Sequence, residues 1–341
     1  MKRTAIVILN WNGEQLLDCF LPSVLDNTPS EVADVIVADN NSTDNSIQLL
    51  ETKYPQVRVI RLAENYGYAG GYNKALEQVK ADYFLLLNSD VEVTQGWIEP
   101  LIECLDKHAD VVAVQPKIKA YRNKSLFEYA GAAGGFIDRL GYPFCRGRIF
   151  GTVEEDRGQY DTAHDVFWTS GACMLIRSKD FFEAGGFDAS FFAHMEEIDL
   201  CWRLNARDRR LCCLPQSVVY HIGGATLDEE SPRKTYLNFR NNLLMLYKNL
   251  PEESFKKVLR ERHLYDWLAA LRFVLSGKFG QVKAIRKARK DFNKMKAEYA
   301  AVRSQNLSLT TCATINTIYP RNLIKEYYLS GRKLFSQLTG F

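Results

Sequence analysis

The first third of the chain alternates short apolar runs, rich in Val, Ile and Leu, with stretches of mixed polarity. The runs have the length and composition of buried strands and cover Thr4–Leu9, Asp34–Asp39, Val57–Leu62, Tyr83–Asn88 and Val111–Gln115. The stretches between them predict helices near residues 13–27, 42–53, 70–80 and 96–107. Alternation of strands and helices predicts an α/β fold with a mostly parallel central sheet flanked by helices.

The pattern changes twice beyond residue 115. Residues 116–165 show no long period, which favours loops or short antiparallel strands over the sheet. Residues 167–177 predict a loop leading into a buried strand, with helices near 178–184 and 195–207 to follow. From Arg233 to about residue 303 the pattern is helical, so we expect a main domain over residues 1–250 and a C-terminal helical extension over residues 251–341.

Composition and charge refine this organisation. The 341 residues are 46% apolar and 25% charged, as in folded globular proteins. The net charge of +3 hides an asymmetry, because residues 1–254 carry a net charge of −10 and residues 255–303 carry +10. A basic rear segment predicts an anionic partner surface, either a membrane or a nucleic acid. The acidic body argues against a nucleic acid, so we expect a membrane surface and no nucleic acid.

The cysteines and the apolar runs bear on the compartment. The eight cysteines show neither a zinc spacing nor a disulfide framework, so we expect reduced thiols and a cytoplasmic protein. Asp266 and Arg272 interrupt the apolar segment Leu264–Leu275, and no run reaches the roughly 18 residues of a membrane-spanning helix.

The basic segment itself has an apolar stripe. Leu264, Leu268, Leu271 and Leu275 share one helix face, with Trp267 and Phe273 nearby, and the stripe continues through Val282, Ile285, Phe292, Met295 and Tyr299. Peripheral binding to the inner face of the plasma membrane explains this pattern. Packing on the catalytic domain, or on a second copy of the chain in a homo-oligomer, explains it equally well.

Polar residues follow the ends of four predicted strands. These segments are Asn10-Trp-Asn-Gly13, Asp39-Asn-Asn-Ser-Thr-Asp44, Asn65–Asn73 and Asn88-Ser-Asp90. Ligands of open α/β sheets bind outside the carboxyl ends of the strands, so we expect the four segments to share one crevice.

Two of these segments favour a nucleotide. Asp39 is suited to accept a hydrogen bond from a nucleobase or a ribose hydroxyl, and the alternative is a capping turn before a helix. Gly67, Gly70 and Gly71 allow a backbone to approach a phosphate or sugar, and the alternative is a plain tight turn. The turn after the first strand lacks G-x-G-x-x-G, which argues against NAD or FAD.

The other candidates concern a cation and a base. Asn88 and Asp90 lie two apart at a strand end and can face one Mg²⁺ or Mn²⁺ bound to a diphosphate, or else form a capping turn. His221 also ends a strand and is either a metal ligand or a structural histidine. The acids at 196, 197 and 199 lie among apolar residues and fan around a helix, so we expect one base, one cap and one partner for Arg203.

As a set, these residues resemble the inverting, GT-A-fold glycosyltransferases of family two, most closely its rhamnosyltransferase-like bacterial members. The resemblance covers about residues 3–250. The segments that match in order and spacing are Ile6–Gly13, Val35–Asp44, Asn65–Asn73, Leu86–Val91, Trp168–Arg177, Glu196–Arg203 and Tyr220-His221.

The resemblance implies a nucleotide-sugar half over residues 1–115, an acceptor half over residues 116–250, and a set of site residues. The implied donor-binding residues are Asn10, Asn12, Asp39, Asn41, Asp44, Asn65, Gly67, Gly70, Asn73, Asn88, Ser89 and Asp90. The implied acceptor-side residues are Trp168, Ser170 and Gly171. Glu197 is the implied general base, with Glu196 in reserve. The family's D-x-D motif has Asn88 at its first position here, so metal binding would depend on Asp90, the donor diphosphate and His221.

The implied activity is transfer of a sugar from a nucleoside-diphosphate sugar to a hydroxyl of a glycan or lipid-linked acceptor, by single displacement, in cell-surface polysaccharide synthesis. One alternative is a nucleotidyltransferase that makes sugar nucleotides, although Asn10-Trp-Asn-Gly13 lacks the basic residues of a triphosphate loop. A glycosidase would leave the Asp39 and Asp90 segments unexplained. A non-catalytic protein that binds anionic surfaces is the remaining alternative.

Overall fold

The computed structural model describes residues 3–223 and 231–340. Its strands are β1 (Thr4–Asn10), β2 (Ala33–Asp39), β3 (Arg58–Arg61), β4 (Tyr83–Asn88), β5 (Val91–Val93), β6 (Val111–Ala120), β7 (Gly135–Asp138), β8 (Pro143–Cys145), β9 (Arg148–Ile149), β10 (Thr152–Val153), β11 (His164–Asp165), β12 (Cys173–Arg177), β13 (Arg210–His221) and β14 (Ile318–Tyr319).

The helices of these residues are α1 (Glu14–Asp26), α2 (Ser46–Lys53), α3 (Gly67–Leu76), α4 (Glu99–Lys107), α5 (Ser178–Glu183), α6 (Glu196–Asn205), α7 (Pro232–Asn249), α8 (Glu252–Leu275), α9 (Phe279–Met295), α10 (Ala300–Ser308) and α11 (Leu323–Tyr328). Short 3₁₀ turns cover Ala189–Phe191 and Phe335–Gln337. The strands and helices predicted for the first third are confirmed, with ends shifted by a few residues.

A nine-stranded central sheet organises the described part of the chain, in the order β11-β13-β6-β12-β4-β1-β2-β3 with β5 beside β13. Strands β3, β2, β1, β4, β6 and β13 run in one direction. Along β1, Ala5 and Val7 belong to one buried layer and Ile6 and Ile8 to the other. Burial on both faces explains why this strand is apolar throughout.

The strand register brings the predicted polar ends together. Asn10 at the end of β1 pairs with Asp39 at the end of β2, and Leu9 pairs with Asn88 at the end of β4. Because these strands are parallel, their following loops leave from one edge of the sheet.

A second, five-stranded sheet in the order β10-β9-β8-β7-β14 covers part of residues 116–165, where the sequence predicted loops or short antiparallel strands. Strands β7 to β10 are antiparallel, as expected. Strand β14, which comes from the C-terminal extension, pairs with β7 in parallel.

The C-terminal helices pack on the main domain through part of the apolar stripe. Val282, Ile285, Phe292 and Tyr299 are buried, as the packing alternative predicts. Leu264, Leu268, Leu271 and Leu275 are exposed on α8. Across the predicted boundary, Arg139 forms two hydrogen bonds of 2.8 and 2.6 Å with Glu261. The division at residue 250 stays a prediction.

Two properties of the chain complete this description. In the part that the structure describes, we find no helix with the length and apolar character needed to cross a membrane. All eight cysteines lie in the described residues and are free thiols, and five of them are buried.

Candidate active site

Asp39 lies at the sheet edge in a buried hydrogen-bond network. Its carboxylate accepts hydrogen bonds from the Asn10 amide at 3.1 Å and from the Ser42 backbone N–H at 2.9 Å. The bond to Ser42 is the capping turn that the sequence offered as the alternative. Asp39 is only 3% exposed, so the network holds its carboxylate in one orientation.

The loop after β1 is fastened to the loop after β2. Asn12 accepts a hydrogen bond from the Thr43 N–H at 2.7 Å, and its own N–H donates to the Ser42 hydroxyl at 2.9 Å. Asp44 accepts from the Glu14 and Ser46 backbones, each at 3.0 Å. Burial acts to raise the pKa of Asp44, but these hydrogen bonds, led by the Ser46 hydroxyl, lower it. Exposed Asn41 lies in the same loop with a φ of 63°.

The loop before α3 joins the Asp39 loop through Asn40, a buried residue that sequence analysis passed over. The Asn40 amide donates to Asn65 at 3.1 Å and to the Gly67 carbonyl at 3.0 Å. Asn65 also accepts from the Gly67 N–H at 2.9 Å. Gly67 has a φ of +71°, and a Cβ there would lie 2.5 Å from the Phe192 ring. At Gly70 a Cβ would lie 3.0 Å from Tyr66. Close packing therefore accounts for both glycines without a phosphate.

Two of the predicted site residues, Asn73 and Trp168, form hydrogen bonds within the protein. Both polar atoms of the Asn73 side chain bond to the Phe187 backbone, at 2.8 and 3.0 Å, so Asn73 holds a loop and keeps only its second amide N–H for a donor. Trp168 is 3% exposed and donates its indole N–H to the Phe136 carbonyl at 2.9 Å. Trp168 is therefore packed into the core, and its acceptor-side role stays a prediction.

A buried histidine bridges two carboxylates at the end of β4. His221 Nε2 lies 3.1 Å from Asp90 Oδ1, and Nδ1 lies 3.5 Å from Glu128 Oε1. The Asn88 amide nitrogen is 3.4 Å from the same Nε2. Half-buried Ser89 lies between Asn88 and Asp90 in the chain. Sequence analysis missed Glu128 because no motif surrounds it.

The charges in this cluster stabilise one another. Burial acts to lower the pKa of His221, but the negative charges of Asp90 and Glu128 raise it to about 10. Burial acts to raise the pKa of Asp90, but the positive charge of His221 lowers it. His221 is therefore a cation between two anions when no other cation is bound.

The donor set at this site fits a hard divalent cation. The 3.1 Å between Asp90 Oδ1 and His221 Nε2 is close to the spacing of about 3 Å between neighbouring ligands of an octahedral ion at about 2.1 Å. No three His, Cys, Asp or Glu side chains of residues 3–223 and 231–340 form a metal cluster. An ion here would need further oxygen ligands from a diphosphate or from water.

At the start of α6, Glu196 is buried and Glu197 is half-buried, and each has one unpartnered carboxylate oxygen. Glu196 Oε2 and Glu197 Oε2 have no hydrogen-bond partner among the described residues. Burial raises the pKa of Glu197 to about 7. Burial, together with the charge of Glu197, raises the pKa of Glu196 well above its usual value. A carboxyl group with a pKa near 7 is partly ionised at neutral pH, so Glu197 is suited to act as a base.

The backbone before these glutamates is strained, and α7 holds it. Phe192, His194 and Met195 have φ values of 64°, 71° and 72°, where residues other than glycine are uncommon. The Asn241 amide donates to the carbonyls of Phe191, Ala193 and His194 at 3.0, 3.0 and 2.8 Å. Asn241 thereby fixes the entry to α6.

The third acid of α6 has a structural role. Asp199 accepts from Arg203 at 3.0 Å, which is the pairing that the sequence predicted, and also from Lys248 at 2.8 Å. Burial acts to raise the pKa of Asp199, but the charges of Lys248 and Arg203 lower it. The helix that carries Glu197 is thus fastened to α7.

Tyr68 lies near the two glutamates and bonds to the loop before β12. Sequence analysis also missed this residue. Its hydroxyl donates to the Gly171 carbonyl at 2.7 Å. Burial, followed by nearby Tyr72 and by the charges of Glu196 and Glu197, raises the pKa of Tyr68 well above its usual value. Ser170, next to Gly171, is 2% exposed and accepts from the Ala172 N–H at 3.2 Å. The Ala172 carbonyl, next to this pair in the chain, accepts from the Asn88 N–H at 3.0 Å, which places the pair beside the end of β4.

Comparison with known proteins shows which family the chain belongs to. The family model described as "Glycosyl transferase family 2" matches residues 5–181, which include β1, β2 and β4 with their polar ends. The chain belongs to glycosyl transferase family 2. It is a glycosyltransferase, and the predicted likeness to rhamnosyltransferases is confirmed.

Curated relatives of the chain act in glycan synthesis. An N-acetylglucosaminyl-diphospho-decaprenol L-rhamnosyltransferase of Mycobacterium tuberculosis is 26% identical, over 80% of this chain and 89% of the relative. The rhamnosyltransferase WbbL of Escherichia coli is also 26% identical, over 63% of this chain and 82% of the relative. These family-two relatives support sugar transfer in polysaccharide synthesis.

Solved structures establish the fold. GalNAc-T7, solved with UDP, GalNAc and Mn²⁺, has a TM-score of 0.61 at 18% identity, over 88% of this chain and 57% of its own. S. aureus TarS 1-349 has a TM-score of 0.57 at 16% identity, over 91% of this chain and 89% of its own. The predicted GT-A fold is confirmed.

Proposed function

We propose that this glycosyltransferase moves a sugar with inversion from a nucleoside-diphosphate sugar to a hydroxyl group of a glycan or lipid-linked acceptor. The observation that carries the proposal is the Glu196-Glu197 pair at the start of α6, whose Oε2 atoms have no partner among the described residues and whose Glu197 has a pKa of about 7. A carboxylate with a pKa near neutrality is suited to accept a proton from a hydroxyl.

The donor would lie along the edge formed by the ends of β1, β2 and β4. Asp39 would accept a hydrogen bond from the base or ribose, because it is fixed by Asn10 and Ser42. Asn12, Asn41, Asp44, Asn65, Asn88 and Ser89 would border the nucleotide. Asp90 and His221 would hold Mg²⁺ or Mn²⁺, which when bound offsets negative charge on the diphosphate.

The reaction would be a single displacement. Glu197 would take the proton of the acceptor hydroxyl, whose oxygen forms a bond to the anomeric carbon while the bond from that carbon to the diphosphate oxygen breaks. Glu196 would be the reserve base, and no bond between enzyme and sugar would form.

The name of the M. tuberculosis relative supports a lipid-linked acceptor, since that enzyme is named for a diphospho-decaprenol substrate. We include polyprenyl-diphosphate sugars among the acceptors for this reason. The reaction would then take place at the cytoplasmic face of a membrane.

The test is a transfer assay with dTDP-, UDP- and GDP-sugars, a polyprenyl-diphosphate N-acetylglucosamine acceptor, and Mn²⁺ or EDTA. We expect a glycosylated acceptor and release of a nucleoside diphosphate. In a parallel assay with a nucleoside triphosphate and a sugar 1-phosphate, formation of a sugar nucleotide and pyrophosphate would show a nucleotidyltransferase instead. Nucleotide release at the same rate with and without every acceptor would contradict the proposal.

A further inference from the structure

A cavity of about 750 Å³ lies between the five-stranded sheet and the C-terminal segment. The aromatic residues that line it are Tyr129, Phe150, Tyr327 and Tyr328, and its two cations are Arg272 and Lys333. Among the described residues that line it, none is acidic. A cavity with aromatic faces and uncompensated positive charge suits a sugar joined to a phosphate or diphosphate.

Contacts between neighbouring residues order one side of the cavity, while Tyr129, Tyr328, Arg272 and Lys333 are exposed to solvent. The Phe150 and Tyr327 rings lie 5.2 Å apart, and Tyr327 and Tyr328 lie 4.8 Å apart. The Tyr327 hydroxyl is 2.7 Å from the Thr152 hydroxyl, which fixes the ring on β10. Arg272 donates to the Tyr328 hydroxyl at 3.2 Å, and its remaining N–H groups are available to an anion.

One short loop, residues 128–130, connects a wall of this cavity to the candidate active site. Glu128, which faces His221 Nδ1 at 3.5 Å, directly precedes Tyr129. On the other side of Tyr129, Ser170 donates to the Ala130 carbonyl. The chain neighbours of Tyr129 therefore contact a metal candidate on one side and an acceptor-side residue on the other.

The cavity also borders an apolar face of α8. Phe255, Val258, Arg262 and Asp266 form the face of α8 that is buried on the protein. Leu264, Leu268, Leu271 and Leu275 lie on the opposite face, and no described residue covers them: Leu264 is 58% exposed and Leu275 is 80% exposed. Arg272, which follows Leu271 in the chain, lines the cavity, so the leucine face of α8 lies next to the cavity.

The charge around this face favours an anionic bilayer as its occupant. Exposed Lys257 and Arg260 continue the same stripe toward the start of α8, and exposed Trp267 flanks it. Basic residues at the ends of an apolar stripe, with tryptophan at its border, are typical of helices that lie in a membrane interface.

We propose that the Tyr129–Arg272–Tyr328–Lys333 cavity binds the diphosphate-sugar head of a lipid-linked acceptor while the leucine face of α8 rests in the bilayer that holds its chain. The inference rests on the proposed function, which supplies the acceptor hydroxyl, and it assigns where that acceptor enters. The sugar would pass over Tyr129 toward Glu197.

The first experiment tests the cavity. The Arg272→Ala/Lys333→Ala variant is assayed with a polyprenyl-diphosphate acceptor in vesicles containing phosphatidylglycerol, with Lys294→Ala as the control for loss of an exposed cation. We expect the acceptor KM to rise about tenfold to a hundredfold, as when hydrogen bonds to charged groups are lost, and kcat to change less. An acceptor KM equal to that of the control would overturn the cavity assignment.

The second experiment tests the helix face. Leu268→Gln/Leu271→Gln is compared with Val302→Gln/Leu309→Gln, which changes exposed apolar residues elsewhere, by flotation with the same vesicles and by light scattering. We expect only the first variant to lose vesicle binding, with the same mass as the wild type. Dissociation of a dimer by the first variant, or equal flotation of both, would overturn the bilayer assignment. Failure of the wild type to bind any nucleotide sugar would instead refute the proposed function.

Discussion

The Lys248 ammonium lies 2.8 Å from a carboxylate oxygen of Asp199, and both side chains are almost completely buried. Lys248 also lies 2.7 Å from Asp188, which accepts from the Tyr299 hydroxyl at 3.0 Å. This network joins α6, which carries the proposed base, to α7 and to the C-terminal helices. A sequence boundary at residue 250 therefore crosses a set of contacts that hold the site.

Removal of Lys248 should destabilise the protein strongly. Lys248→Met leaves buried Asp199 and Asp188 without this cation, and loss of one partner of a buried pair costs about 3–5 kcal/mol. Lys256→Met is the control, because Lys256 makes only exposed pairs among the described residues, with Glu252 at 3.5 Å and Glu253 at 3.7 Å, and we expect a change below about 1 kcal/mol. Urea unfolding measures both, and equal stabilities would contradict the structural role.

The pKa of Glu197 predicts opposite effects of pH on turnover and stability. Because burial raises its folded pKa from 4.5 to about 7, the folded state holds more protons than the unfolded state between these values. Stability should therefore fall as pH rises through this range, while turnover rises as the base ionises.

Glu197→Gln isolates the stability effect. At pH 8 this variant should be more stable than the wild type by an amount on the order of 1–3 kcal/mol, and the gain should vanish near pH 4. Thermal melts at both pH values test this. A gain of equal size at both would show that charge is not the cause.

Asp90 and His221 should differ in their effect on cation-dependent binding. Asp90→Ala removes the carboxylate at the strand end and should weaken Mn²⁺-dependent donor binding more than His221→Ala does, because Mg²⁺ and Mn²⁺ prefer oxygen ligands. Calorimetry with the nucleotide diphosphate, with and without Mn²⁺, measures this. Full activity in excess EDTA would remove the metal role from both residues.

Asp39 should act mainly on donor binding. Asp39→Ala should raise the donor KM with a smaller change in kcat, as expected when binding common to ground and transition states is lost. Asp39 also accepts from the Ser42 N–H at 2.9 Å, so loss of the cap should cost about 0.5–2 kcal/mol of stability. A lower melting temperature with an unchanged KM would leave Asp39 with the structural role alone.

The sheet was predictable because its strands are continuous apolar runs and its polar loops follow them directly. The same logic brought Asp39, Asn88, Asp90 and His221 to one edge. Tyr68 and Glu128 were missed because their roles depend on contacts with Gly171 and His221, more than 90 residues away in sequence. The burial of Trp168 was not predictable, because a motif does not reveal which face of a loop is buried.

The apolar stripe of the C-terminal segment shows the same limit. Periodicity groups the leucines of α8 and the apolar residues of α9 into similar faces. Packing separates them, because Phe292 is buried at 2% exposure while Leu275 is 80% exposed. Helical spacing identifies an apolar face of a helix. Only tertiary contacts show whether that face is buried on the protein or exposed.

The anomeric configuration of the product, determined by NMR, tests the central claim most directly. The wild-type enzyme should give a product with the configuration opposite to that of the donor. Glu197→Gln should bind donor within a few fold of the wild type but transfer about 10²–10⁴ times more slowly. A retained configuration, or near-normal transfer by Glu197→Gln, would contradict a single displacement driven by this base.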